Sequence, residues 1–259
     1  MDDFSAHQEQ ECQKFGVRPT INGTRRRRIL DEYREATLIR VNSEHSRRTF
    51  LDRGFSPESI VTILPHLNVA EFPQAEFKES TFRIAFVGLL EPWKGFHYLV
   101  DAYLKLGLPD SELVFWGGTS SRPVARYFAE AIAKNPSISL RPQMIRAAGL
   151  ENVYGRASVL VHPSLTEGFG YVVAEAMACG IPVITTYNTG AAELIRDGEN
   201  GYLVPPGDSS ALADRILHLH RNPALLPVIG ARARCTIASA MTLEGFRSKY
   251  VPHLMGLLN

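Results

Sequence analysis

From Phe82 onward the apolar and polar positions fall into a regular alternation. Apolar runs at Arg83–Val87, Glu112–Trp116, Ile138–Leu140, Ser158–Val161, Val183–Thr186 and Gly201–Val204 predict strands. Between them lie stretches of helical period: Phe96–Leu106, Val124–Ala133, Tyr171–Cys179, a short one near Ala191–Ile195, and Ser210–His220. Strands alternating with helices predict an α/β protein with a doubly wound parallel sheet and right-handed crossovers. In such sheets a ligand lies at the carboxyl ends of the strands.

Upstream the pattern is weaker. The first thirty residues are polar with little periodicity, and the run Arg25–Arg28 leads into a helix predicted to end near Ala36. That run reads as a solvated helix face, with contact to an anionic membrane surface or a phosphate as the functional alternative. Leu38–Val41 predicts a strand, Ser43 a cap for a helix reaching about Leu51, Ile60–Leu64 another strand, and Pro65–Asn68 a connector. At the far end Leu243, Phe246, Tyr250, Leu254 and Leu257 recur at helical spacing and predict a helix over Leu243–Leu258.

Composition narrows the class. With 45% hydrophobic residues among 259, the chain has ample material for a core. Its 28 Lys+Arg against 27 Asp+Glu argue against a nucleic-acid binder driven by overall charge. No apolar stretch approaches the roughly 18 uncharged residues of a membrane span, and the start Met1-Asp2-Asp3 does not read as a signal peptide. Cys12, Cys179 and Cys235 are scattered and not spaced for a metal, so a reduced, cytoplasmic protein is expected.

Candidate chemistry concentrates at the predicted strand ends. After the Ser158 strand come His162-Pro163-Ser164 and then Glu167-Gly168-Phe169-Gly170, opening the helix that carries Glu175. Two glycines before a helix leave backbone N–H groups and the positive helix end facing whatever lies above. An anion-binding helix start with two carboxylates suits a ligand carrying phosphates and many hydroxyls, such as a nucleotide-sugar. The first strand ends in Gly88-Leu89-Leu90-Glu91-Pro92-Trp93-Lys94-Gly95. Gly88 permits a close turn, and Lys94, just before the next helix, is placed to reach a diphosphate. Gly117-Gly118 reads as a chain reversal, and His162 as a packed or hydrogen-bonded structural residue.

The run Glu167 to Ile184, with two glutamates eight positions apart and Gly-Phe-Gly after the first, resembles the donor-site signature of the retaining glycosyltransferase family four, which has the two-domain GT-B fold. The resemblance runs from about Arg34 to the C-terminus and is sharpest over Val161–Ile184. It implies a Rossmann-like C-terminal donor domain over residues 81–240, a remnant of the N-terminal acceptor domain and connector over 1–80, and a helix over 241–259 returning toward that part. It implies transfer of a sugar, with retention, from a nucleotide diphosphate sugar to an acceptor, without metal or other cofactor. Glu167 would hold the donor sugar and Lys94 the leaving diphosphate, with the amides of Gly168, Phe169 and Gly170. Glu175 would bind ribose hydroxyls, and backbone atoms at Arg141-Pro142 would touch the base. Thr189–Glu193 resembles the small-residue turn beside the sugar. Family members usually carry an arginine at the position of Leu89, so one phosphate cation is missing here.

About 80 residues precede the Phe82 strand and match only the last portion of the family's N-terminal domain. A separate N-terminal partner or a second copy of the chain could supply the rest. Two readings therefore stand: a glycosyltransferase, and a nucleotide-sugar-binding module without transfer. An epimerase-like protein would need a dinucleotide fingerprint, which the sequence lacks.

Overall fold

The structure, a computed structural model, describes residues 3–18, 23–77, 81–141 and 153–256. Six strands form one parallel sheet: β3 Phe82–Val87, β4 Ser111–Trp116, β5 Ile138–Arg141, β6 Val159–His162, β7 Val183–Thr186 and β8 Tyr202–Val204. Their order across the sheet is β5-β4-β3-β6-β7-β8. Winding therefore proceeds outward from β3 in one direction and then from β6 in the other, the order of a dinucleotide-type Rossmann sheet. The central strands β6 and β7 are buried at every position. That double-sided burial is why they read as continuous apolar runs rather than alternating ones.

Helices cover both faces. On one side lie α4 Phe96–Leu106, α5 Arg122–Lys134 and α7 Ser209–Arg221, which bury Phe96, Leu99, Tyr103, Phe128, Ile216 and Leu219 against the sheet. On the other lie α6 Tyr171–Ala178 and α8 Leu225–Ala240, with Val173, Met177, Ala233 and Ile237 in the second core. The connector Leu67–Phe72 packs into this same core. It is tied down by Leu67 N–H to the Met241 carbonyl (3.0 Å) and by the Arg234 guanidinium on the Val69 and Phe72 carbonyls (3.1 and 3.2 Å).

The N-terminal part is built from α1 Asp3–Lys14, α2 Gly23–Glu35, β1 Ile39–Val41, α3 Glu44–Leu51 and β2 Ile60–Thr62. Strands β1 and β2 pair in parallel as a separate sheet over a small core of Ile39, Val41, Ile60, Phe50 and Phe55. Ser43 caps α3, its hydroxyl accepting the Ser46 N–H, as the sequence predicts. Helix α1 was not predicted. Its inward positions Gln8, Glu11 and Cys12, with Phe15 just past its end, follow helical spacing, but two of the four are polar and mask the period.

Helix α9, Leu243–Gly256, ends the described chain, and Leu257 lies outside the described residues. Its Phe246 and Tyr250 rings stack on each other and take the Arg40 guanidinium at 5.3 and 5.8 Å from their centroids. No single helix among the described residues is long and apolar enough to cross a membrane.

Candidate donor site at the sheet's switch point

Strands β3 and β6 are neighbours whose connections leave in opposite directions, so the loops after them diverge and leave a crevice. The first loop runs from Gly88 through a short 3-10 turn, Pro92–Lys94, into α4. The second runs from Pro163 through Glu167-Gly168-Phe169-Gly170 into α6. Across from both stand Tyr33, Arg40, Asn42, Ser46 and Phe50 of the N-terminal part. Together they enclose a cavity of about 520 Å³.

At its floor the Lys94 ammonium is ion-paired with Glu167 Oε2. His162 Nε2 stands 3.6 Å from the same oxygen. Burial pushes the Glu167 carboxyl up, but His162 and Lys94 outweigh it and hold the group down at about 2. The His162 imidazole is itself pushed down, chiefly by burial. The Glu167 backbone is fixed by its N–H on the Asn188 carbonyl (2.9 Å) and its carbonyl on Gly190 N–H (3.0 Å). Thr186 braces the same loop by donating its hydroxyl to the Ser164 carbonyl at 2.5 Å.

The predicted site residues separate into two groups. Gly88, Lys94, Glu167, Gly168, Phe169 and Gly170 all line the cavity. The ring of Phe169 is 3% exposed and belongs to the core, so this residue offers the cavity chiefly its backbone. Glu175 does not line the cavity. It lies further along α6, where Oε2 accepts the Tyr154 hydroxyl at 2.9 Å. Arg141, the last residue of β5, is exposed and is not at the cavity either; its carbonyl accepts the Gly117 N–H at 3.0 Å, and Pro142 lies outside the described residues. Leu89 is 45% exposed on the cavity rim rather than packed in the core.

Sequence reasoning missed how the N-terminal part seats on the glycine loop before α6. Ser43 and Ser46 both donate their hydroxyls to the Gly168 carbonyl, at 2.6 and 2.8 Å. Glu193 accepts the Glu44 and His45 N–H groups, at 3.0 and 2.5 Å, one on each carboxylate oxygen. A carboxylate at a helix start is favourable because it meets unpaired N–H groups and the positive end of the dipole. The signal was half visible: Ser43 reads as a cap, but nothing local says that its hydroxyl also reaches Gly168.

A second buried carboxylate, Glu11 of α1, supports the Lys94 turn from behind. Burial raises it, but His97, Lys14 and Tyr98 outweigh that and leave it at about 2. Lys14 Nζ and the Tyr98 hydroxyl donate to it at 2.7 and 3.0 Å. Because both glutamates titrate below their ordinary value of 4.5 when folded, the stability they lend is full above that pH and is lost as pH falls toward 2. Each carboxyl should add a slope of up to about 1.4 kcal/mol per pH unit in that window. Denaturant titrations at pH 6, 4 and 3 should show the fall, and Glu167→Gln should remove part of it. A flat profile from pH 4.5 to 2.5 would refute this electrostatic reading.

A family model described as "Glycosyl transferases group 1" matches residues 81–222, more than half of the chain. The chain belongs to the group 1 glycosyl transferases. It is 32% identical over 173 residues to the D-inositol 3-phosphate glycosyltransferase of Mycolicibacterium smegmatis, covering 64% of this chain and 39% of that protein. It is 30% identical over 217 residues to the protein of the same name from Streptomyces bingchenggensis, covering 76% of this chain and 48% of that one. It thus spans about half or less of the length of these curated relatives. Among solved structures, Anabaena HepE in complex with UDP and glucose superposes with a TM-score of 0.78 at 22% identity, over 86% of this chain and 64% of that one. Sucrose-phosphate synthase from Thermosynechococcus elongatus gives 0.78 at 24% identity, over 95% and 65%. At these identities the likeness shows the fold, which is the expected Rossmann-like half of a GT-B glycosyltransferase.

Leu89 gives this group 1 chain a direct test of whether the cavity rim takes a phosphate. Because the side chain is exposed, Leu89→Arg should fold with little change in stability, within about 0.5 kcal/mol. The guanidinium then stands on the cavity rim and can hold two phosphate oxygens at once, tightening uridine or guanosine diphosphate by about ten-fold. Calorimetric titration of the two proteins measures the difference. A folded variant with unchanged affinity would remove the Leu89 position from the phosphate path.

Proposed function

We propose that the chain binds a nucleotide diphosphate sugar in the crevice between β3 and β6 and transfers the sugar, with retention, to an acceptor lying against Tyr33, Arg40, Asn42 and Phe50. The observation that carries this reading is the Lys94–Glu167 pair, set at two strand ends beside a glycine loop that opens α6. Diphosphate departure concentrates negative charge on the leaving oxygens. Lys94 supplies a cation for it, and the N–H groups at Gly168–Gly170 supply fixed dipoles that need no reorganisation. As phosphate draws Lys94 away, Glu167 is released to accept hydroxyls of the donor sugar. The relatives' names as glycosyltransferases, and the UDP and glucose of the HepE complex, support a nucleotide-sugar donor.

A second reading, a binding module without transfer, is favoured by Leu89, since a neutral rim holds the leaving diphosphate less firmly. One experiment separates them. The chain is incubated with UDP-glucose or a GDP-sugar, with and without simple sugar acceptors, and both diphosphate release and the anomeric form of the product are followed. Release with a retained anomer supports transfer. Tight diphosphate binding without any release supports the module. Absence of binding to uridine, guanosine and adenosine diphosphates would sink both.

A further inference from the structure

His162 ends β6 with its side chain 3% exposed, yet it lines the cavity. Its ring stacks on Phe86, with centroids 6.2 Å apart and planes 27° from parallel. Among the described residues neither ring nitrogen has a hydrogen-bond partner. A buried polar group left so is costly and calls for an explanation. Glu167 Oε2 stands 3.6 Å from Nε2, just beyond a hydrogen bond, and Lys94 already occupies that oxygen. The charged groups facing the ring are Glu167, from the loop after β6, and Lys94, from the turn after β3. From β7, Thr185 reaches only the His162 carbonyl, by its hydroxyl at 2.9 Å.

We propose that His162 takes up a proton from solvent when a nucleoside diphosphate binds, and that the resulting imidazolium donates Nε2–H to Glu167 in place of the Lys94 ammonium that the phosphates draw away. This rests on the donor-site reading above. Without ligand, burial and the Lys94 charge favour the neutral ring and outweigh the pull of Glu167. An arriving diphosphate brings negative charge and removes the cation from Glu167, which reverses the local field. His162 then acts as a positioning residue: it keeps Glu167 oriented and ionised through the exchange of partners. Binding of the diphosphate consequently weakens as pH rises above neutrality.

The test is calorimetry of uridine and guanosine diphosphate at pH 7 in buffers of different ionisation enthalpy, PIPES and Tris, which reports protons taken up per ligand bound. The native chain should take up more than His162→Gln, by a difference approaching about one proton. The ligand's own ionisation contributes to both proteins and cancels in the difference. As a check that needs no variant, the ¹⁵N resonances of the His162 imidazole in the native chain should move to imidazolium positions on saturation with diphosphate. Binding with equal uptake in both proteins, or with a ring that stays neutral, overturns the proposal while leaving the donor site intact. No binding of either diphosphate by the folded chain overturns the donor site, and this proposal with it.

Discussion

Gly95→Ala should lower the thermal midpoint by on the order of 10 °C. Gly95 joins the Pro92–Lys94 turn to α4 at φ 70° and ψ 15°, left-handed values that a β-carbon disfavours. An added Cβ would also overlap the carbonyl oxygen of Pro163 and stand 2.9 Å from its carbonyl carbon. Both atoms are backbone and cannot rotate away. Strain and overpacking typically cost about 1–3 kcal/mol each, so a combined loss of about 4 kcal/mol is reasonable. For a chain of this size each kilocalorie is worth about 2–4 °C. Because Gly95 and Pro163 stand on the two loops of the crevice, the damage falls where the loops touch. Scanning calorimetry decides it. A variant that melts with the native chain would mean that the loops are not in contact.

Lys94→Met should weaken diphosphate binding by about thirty-fold, since a charge-assisted hydrogen bond is worth about 2 kcal/mol. It should also lower stability at neutral pH, because burial of the Glu167 carboxylate would keep its cost while losing the ammonium that offsets it. The double variant Lys94→Met with Glu167→Gln separates the two effects. Removing both charges should restore part of the stability while leaving the diphosphate affinity low. Full recovery of affinity in the double variant would mean that Lys94 acts only by neutralising Glu167, and the phosphate role would fall.

The regular half of the fold was readable because each element from Phe82 onward buries a face that its own residues announce. The elements missed are those whose burial is not announced by apolar identity. Helix α1 turns Gln8 and Glu11 inward, and the Glu11 carboxylate is offset there by Lys14, Tyr98 and His97. Helix α8 has no counterpart among the elements read from the sequence, and Gly230 lies inside it. In the structure its missing side chain is what lets α8 approach the end of α6, since a Cβ there would overlap the Gly180 carbonyl. At the site, the Gly-Phe-Gly run, Lys94 and Glu167 could be brought together from strand-end logic alone. Their pairing with each other could not, nor could the separation of Glu175, because both depend on side-chain directions that spacing does not specify.

The seat of α3 on the glycine loop before α6 has a consequence for how the chain is made. Its bonds join residues 122 to 149 positions apart: Ser46 and Ser43 to Gly168, and His45 and Glu44 to Glu193. At a synthesis rate of about 5–20 residues per second, α3 leaves the ribosome roughly 7–30 s before Glu193 is available to hold its first turn. The β1–β2 pair needs only residues 39–62 and can form early, but it then waits, with the serine hydroxyls and open N–H groups of α3 meeting water. Through that interval the first turn of α3 has only water for its open N–H groups. The interval ends when Glu193 emerges and accepts the Glu44 and His45 N–H groups.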